Sequence, residues 1–226
     1  MARRSSLADI GAEQFLVKLP LIDYPRPEPM KTLLLLPAIL VAVAMPVVEP
    51  VVPSQPLGEH EWVADAGHSS CVFRVKHANA SWFMGTFDKV EGKATLDASA
   101  LDKGSVELTI ATESVDSNDK QRDGHLMSPD FFNGKENPEI TFKSTKIKAA
   151  GKDLEVTGDL SMAGKTKSIT ISVVFVGEGE SRGLRRGYIT RFAIKRSDFG
   201  MTYGVKKNML GDDVHMTVSL ELVQPK

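Results

Sequence analysis

The sequence predicts an all-β fold, an antiparallel eight-stranded barrel with one short helical insert. From Trp62 onward, apolar and polar residues alternate with a period of two, as in strands that bury one face. Clusters of Gly with Asp, Asn or Lys separate about eight such runs. Only residues 114–134 lack this alternation, which marks them as the insert. Short strands at regular spacing are typical of antiparallel barrels and sandwiches.

The chain divides into three parts. We predict an N-terminal extension with a signal peptide over residues 1–44, a proline-rich linker over residues 45–61, and the barrel domain over residues 62–226. The linker contains four prolines in eleven residues, which keep it out of helices and central strands. The predicted strands therefore all belong to one domain.

The signal peptide is predicted from a short apolar stretch, Leu33–Ala44, that follows Lys31 and ends in small residues. A dozen apolar residues are too few to cross a bilayer, which takes about 20. We therefore expect Sec-type export, cleavage near Ala44, and a periplasmic or secreted protein. A membrane anchor is the alternative, because apolar residues resume at Val47.

Each predicted strand has one apolar face. In chain order, the runs are Cys71–His77, Val90–Leu96, Val106–Ile110, Ile140–Phe142, Leu154–Leu160, Ile169–Phe175, Tyr188–Ile194 and Val214–Leu222. The alternation shifts phase near Asp88 and Lys89, which predicts a bulge there.

The insert is predicted to form two short helices across one end of the sheet. Ser117 or Asn118 is a plausible N-cap for the first helix, and Ser128-Pro129 would open the second. The apolar residues expected to face inward from it are Leu126, Met127, Phe131 and Phe132.

Twelve apolar residues are predicted to line the barrel interior, mainly from strand parity: Phe73, Val75, Phe87, Leu108, Ile110, Phe132, Phe142, Leu160, Ile171, Val173, Phe192 and Val218. An eight-stranded barrel is either filled by its side chains or holds one small ligand. The sequence leaves both possibilities open.

Three polar residues stand among these apolar ones and are predicted to lie near the mouth of the barrel. His77 and Arg196 continue the inward parity of their strands, and His125 lies in the insert. Because a buried charge needs a partner, one interpretation pairs Arg196 or Arg122 with a carboxylate of Asp116, Asp123 or Asp198. The other interpretation has some of these groups contact the polar head of a ligand.

The composition excludes several function classes. A formal net charge of −1 lacks the basic surface that a nucleic-acid binder needs. One cysteine, Cys71, excludes an intrachain disulfide and a zinc site built on cysteine pairs. No nucleophile motif, nucleotide-binding glycine loop or paired-histidine metal spacing is present. We therefore predict no catalytic residues, no metal and no cofactor.

Several motifs together resemble the YceI family. They are WVADAGHSSCVFRVKH (62–77), SWFMGTF (81–87), SVDSNDKQRDGHLMSPDFFN (114–133), NPEITFKS (137–144), TGDLSMAGKTKSI (157–169) and RSDFG (196–200). The match covers essentially residues 62–223, and the insert motif is the longest and most specific part.

The resemblance implies an exported, lipocalin-like barrel that binds a long polyisoprenoid lipid in an apolar channel, without catalysis. The expected partner is such a lipid, with transient membrane contact and no nucleic acid. Three alternatives remain: a structural or stress-response module with a filled core, a quinone-binding redox accessory protein, and a hydrolase acting on lipid heads through His125. Two features depart from the family pattern. Cys71 stands where the family usually has an aliphatic residue, and the segment from Tyr203 to Asp212 is more basic than the resemblance implies.

Overall fold

The strand pairing closes on itself in the computed structural model, which describes residues 60–224. The strands are β1 Glu61–Ala64, β2 Ser70–His77, β3 Ser81–Phe87, β4 Val90–Thr95, β5 Ser105–Ala111, β6 Val115–Asp116, β7 Glu139–Ala150, β8 Asp153–Met162, β9 Lys165–Glu180, β10 Leu184–Lys195 and β11 Leu210–Gln224. A single α-helix among the described residues, α1 Lys120–Leu126, lies between β6 and β7. No helix in this part of the chain is both long and apolar enough to span a membrane.

Eleven strand segments form eight barrel strands, because three strands are interrupted. Strand β11 pairs with β2 along residues 210–219 and with β1 at residues 222–223, so β1 and β2 are two parts of one barrel strand. Strands β3 and β4 are two parts of a second interrupted strand, and β5 and β6 are two parts of a third. The pairings β2–β3, β1–β4, β4–β5 and β3–β6 show this. The remaining strands pair in sequence order, each antiparallel. The predicted eight-stranded antiparallel barrel is therefore confirmed.

The break between β3 and β4 falls at Asp88 and Lys89, where the alternation shifts phase. The backbone N–H of Asp88 donates to the carbonyl of Ser114 over 3.0 Å, and Lys89 accepts from Ala111 over 3.2 Å. These bonds satisfy the backbone groups that the ladder leaves unpaired. The chain therefore changes face here without leaving the wall of the barrel.

The insert differs from its prediction in two respects. The N-cap of α1 is Asp119, whose carboxylate accepts from the backbone N–H of Arg122 over 3.0 Å. Asn118 has a φ of 61°, which is left-handed, whereas Asp119 has the extended backbone that an N-cap needs. Residues 128–134 form turns and no second helix, and the left-handed φ of 46° at Asn133 is incompatible with a helix continuing through it.

The segments before the barrel lie mostly outside the described residues. The predicted signal peptide, residues 1–44, and residues 45–59 of the predicted linker belong to this part. Of the predicted linker, His60 and Glu61 are described, and Glu61 already begins β1.

An ion-paired cluster lies where β1 meets β10 and β11. The guanidinium of Arg185 is 2.8 Å from the Asp65 carboxylate and also pairs with Glu221. Hydrogen bonding to Arg185 lowers the pKa of Asp65 to about 2, although partial burial opposes this shift. His68 adds a further contact to Asp65 at 3.0 Å. Asp65, His68 and Glu221 are close enough to share a cation, but Arg185 already supplies the positive charge there.

Candidate ligand-binding cavity

The inward faces of the strands do not meet in the middle of the barrel. They leave a cavity of about 150 Å³. The lining includes Leu96 and Leu222 toward one end, and Leu126 and Leu210 toward the other. The cavity therefore follows the length of the barrel and is apolar along nearly all of its wall.

All twelve residues predicted from strand parity line this cavity. Several of them, such as Leu108, Val173 and Phe192, are only half-buried although they point inward. Their residual exposure is toward the void, because the outward neighbours on the same strands are the ones that face bulk solvent. That these residues contact a ligand stays a prediction.

Inward glycines widen the barrel at three places. At each, a large apolar side chain of a neighbouring strand lies where a Cβ would be, 2.5 Å from its nearest atom: Phe73 over Gly85, Leu108 over Gly92 and Phe142 over Gly158. These side chains lie flat against the wall because the glycines offer no side chain to hold them away from it. The sequence alone does not predict this role of the three glycines.

Two polar side chains on β10 line the cavity. The hydroxyl of Thr190 donates to the carbonyl of Ser172 over 2.8 Å and is therefore satisfied by the wall itself. The ring of Tyr188 packs against Phe175 at 5.6 Å between centroids, and burial raises the pKa of its phenol. Within residues 60–224 the Tyr188 hydroxyl has no hydrogen-bond partner, so it is available to a polar group of a ligand.

One end of the cavity is closed by the insert and by the loop between β10 and β11. Phe131, Phe132 and Met201 contribute apolar surface to the lining there. The rings of Phe131 and Tyr203 are 5.5 Å apart, and His125 contacts both at about 5 Å with its ring edge-on. An aromatic cluster thus joins the two covering segments.

Arg196 holds the β10–β11 loop in place. Its side chain is buried, with 3% of the residue exposed, and its guanidinium donates to the carbonyls of Met201, Tyr203, Leu210 and Gly211 over 2.7–3.0 Å. Burial lowers the pKa of Arg196, and the nearby Asp212 carboxylate partly opposes this. Four carbonyl oxygens therefore satisfy the buried cation in place of the carboxylate that the sequence predicted in one interpretation.

The three predicted polar residues have different positions. Arg196 lines the end of the cavity that the loop covers, and its hydrogen bonds are taken by that loop, so its contact with a ligand stays a prediction. His77 is the last residue of β2 and is exposed outside the lining, because the wall ends there. His125 is also outside the lining and contacts Asp130 at 3.0 Å. The predicted inward position is therefore wrong for His77, whereas His125 lies in the insert as predicted, and ligand contact by either histidine stays a prediction.

The insert is fixed by Arg122 and Asp123 without the predicted pairing between strand and insert charges. Arg122 donates to the carbonyl and the hydroxyl of Ser117 over 2.6 and 3.0 Å. Asp123 accepts from the hydroxyl and backbone N–H of Ser117 over 2.6 and 2.8 Å, which lowers its pKa. These bonds fold the insert upon itself, while its apolar side chains cover the barrel.

A cation–aromatic pair lies at the opposite end of the barrel. The guanidinium of Arg186 lies 4.5 Å above the ring of Trp62 and its Nε is 2.6 Å from the Glu178 carboxylate. Trp62 is 3% exposed, and its indole N–H is buried without a hydrogen-bond partner. Cys71 is fully buried in the wall, and desolvation raises the pKa of its thiol to about 12, so it behaves as a small apolar residue.

Comparisons with known proteins agree with this architecture. A family model described as YceI-like domain matches residues 62–222. Protein YceI of Escherichia coli is 38% identical over 164 residues, which are 70% of this chain and 83% of that protein. The crystal structure of Burkholderia cenocepacia BcnA superposes with a TM-score of 0.64 at 27% identity, covering 70% of this chain and 98% of BcnA.

A third comparison shares the fold at low identity. It is the structure of a polyisoprenoid binding domain from Saccharophagus degradans, implicated in plant cell wall breakdown, with a TM-score of 0.57 and 17% identity over 73% of this chain and 98% of that domain. The family-model match covers the whole barrel, from the first strand to the last. This chain belongs to the YceI-like domain family.

Proposed function

We propose that the barrel binds a polyisoprenoid or a similarly long apolar chain in its interior, and carries or stores it without chemical change. The observation that carries this proposal is the cavity: it is apolar, it extends between both ends of the barrel, and it is not filled by the protein's own side chains. The fold shared with a domain described as polyisoprenoid binding supports the same ligand class.

The energetics favour an apolar chain even without a strong head-group site. Each buried methylene contributes about 0.8 kcal/mol, so a five-carbon isoprene unit contributes up to about 4 kcal/mol before ordering costs. Apolar cavities of about 150 Å³ stay dry and admit an apolar ring. The almost entirely apolar wall therefore favours an apolar guest, and Tyr188 is a polar side chain that such a guest can contact.

The proposal is tested by ligand uptake. Delipidated full-length protein is loaded with an environment-sensitive apolar dye, which polyprenol should displace, and the melting temperature should rise with polyprenol concentration. At 100 times the dissociation constant, binding adds about 2.7 kcal/mol to the stability. Ubiquinone and a saturated fatty alcohol serve as competitors that compare head groups and chain types. Absence of both dye displacement and thermal stabilisation with every chain would overturn the proposal.

We further propose that the chain is exported, with cleavage near Ala44, and that it works in the periplasm or outside the cell. The basis is the short apolar stretch Leu33–Ala44, preceded by a lysine and ending in small residues. Mass spectrometry of the protein from a periplasmic extract should give a mature N-terminus next to Ala44. Recovery of the intact N-terminus from the cytosol alone would overturn this part of the proposal.

A further inference from the structure

Two neighbouring segments at one end of the barrel are unusually basic. Residues 74–84 form the end of β2, a turn and the start of β3, and residues 201–210 form the β10–β11 loop. Together they contain Arg74, Lys76, Lys206 and Lys207 and no Asp or Glu, in a chain whose net charge is −1. We call these two segments the basic rim.

The basic rim also carries exposed apolar side chains. Six large apolar residues are exposed in residues 60–224, and four of them belong to the rim: Trp82, Met84, Tyr203 and Met209. Soluble proteins expose single apolar residues commonly, but their concentration beside cations is characteristic of interaction sites.

The two segments form one continuous surface. The backbone N–H of Ala78 donates to the carbonyl of Met209 over 2.8 Å, which joins the β2–β3 turn to the loop. The Arg74 guanidinium carbon and the Lys76 amine lie 4.7 and 5.0 Å from the centre of the Trp82 ring. The exposed indole is therefore flanked by two cations.

This surface adjoins the closed end of the cavity. Tyr203 packs on Phe131, which lines the cavity, and Leu210 belongs both to the rim and to the lining. Three carboxylates of the adjacent elements have other partners: Asp130 contacts His125, Asp212 accepts from Ser197, and Asp213 contacts Lys195. Among residues 60–224, none of the four cations of the rim is ion-paired with a carboxylate.

We propose that the basic rim docks the barrel on a bilayer that contains anionic phospholipids, with the closed end of the cavity toward the membrane. Tryptophan and tyrosine favour the membrane–water interface because their rings are apolar with a polar tip. Lysine and arginine are attracted to anionic head groups, and each such residue strengthens binding severalfold. The proposal rests on the rim and not on occupation of the cavity.

The test uses Trp82 as its own reporter. It is 39% exposed whereas Trp62, the other tryptophan, is 3% exposed, so contact with lipid should shift the emission of Trp82 to shorter wavelength. Full-length protein is titrated with vesicles of phosphatidylcholine alone and with vesicles that also contain phosphatidylglycerol. We expect binding and a blue shift with the anionic vesicles only, and both should weaken at high salt.

Charge variants locate the contact. The double variant Lys206→Gln, Lys207→Gln should bind anionic vesicles about 25-fold more weakly. The matched control, Lys103→Gln with Lys152→Gln, removes two exposed lysines from the opposite end of the barrel and should bind as the unaltered protein does.

Three outcomes would overturn the proposal: no binding to anionic vesicles, equal weakening in both double variants, or a blue shift that depends on protein concentration without vesicles, which would indicate self-association. Vesicle binding is measured without any polyprenol, and dye displacement without any vesicle. Failure of docking is therefore distinguishable from failure of the proposed ligand binding.

Discussion

Substitution of Val173 by phenylalanine gives opposite predictions for a barrel that holds a void and for a barrel with a filled core. Val173 lies in β9, points inward and lines the cavity, while its neighbour Val174 is exposed on the outer face. Val173→Phe adds a ring to the interior, and Val174→Phe adds the same ring outside. The pair therefore separates the effect of filling the lumen from the effect of the residue type on strand β9.

The size of the cavity sets the expected stability change. An unfilled cavity costs about 24 cal/mol per Å³, so the full 150 Å³ corresponds to about 3.6 kcal/mol. Val173→Phe recovers part of this amount, and the free energy of unfolding should stay constant or rise by up to that value. In a well-packed interior the same change would cost about 1–3 kcal/mol.

Two assays are needed, because Val173→Phe is expected to abolish polyprenol uptake while it leaves the free energy of unfolding unchanged or raises it. Urea denaturation gives the free energy of unfolding of both variants, and dye displacement gives their uptake of polyprenol. Val173→Phe should lose uptake without losing stability, whereas Val174→Phe should keep uptake and change stability by no more than about 0.5 kcal/mol. Destabilisation of Val173→Phe by 1 kcal/mol or more, or unchanged uptake, would refute the argument.

Three further predictions concern the wall and its supports. Gly92→Ala should press the overlying Leu108 side chain into the lumen and weaken the binding of an apolar chain about fourfold, the contribution of roughly one buried methylene, as measured by dye displacement. Gly179→Ala, which places its Cβ in open space, should leave the binding unchanged. Ion pairing with Arg185 lowers the folded-state pKa of Asp65, so the carboxylate stabilises the fold above about pH 4 and loses this effect toward pH 2. Asp65→Asn should therefore lower the free energy of unfolding in urea titrations above about pH 4, by about 1–2 kcal/mol because the pair is partly exposed. A difference between the two proteins that does not depend on pH would contradict this prediction. Arg196→Met should lower the free energy of unfolding by about 3–5 kcal/mol, as measured by thermal denaturation. Arg196→Lys should have nearly the same effect, since one ammonium cannot reach four carbonyls. Full stability of either variant would contradict the assigned role.

Strand alternation was sufficient to predict the wall of the cavity. Side chains of period two must share a face, so Phe73, Ile171 and Phe192 could be assigned inward from their neighbours alone. The same rule failed at His77, because parity says which side a residue faces and not where the wall ends. His125 lies in the insert, whose path depends on contacts between distant residues.

The features that could not be predicted from the sequence are those that depend on tertiary contacts. The partners of Arg196 are backbone carbonyls of a loop, which no residue pattern encodes, and the expectation of a carboxylate followed from charge alone. Gly92 gave no signal of its own, since its role depends on the leucine that the next strand brings over it. The void itself depends on packing, which is why the sequence left a filled core open.

The most direct test of the central claim is to identify what the barrel holds when it is isolated from the cells that produce it. The purified protein is weighed by native mass spectrometry, and its organic-solvent extract is analysed for apolar compounds. A cavity that serves a guest predicts one long apolar molecule per chain, present in the intact protein and released into the solvent. A mass equal to that of the bare polypeptide, with nothing in the extract, would contradict the account.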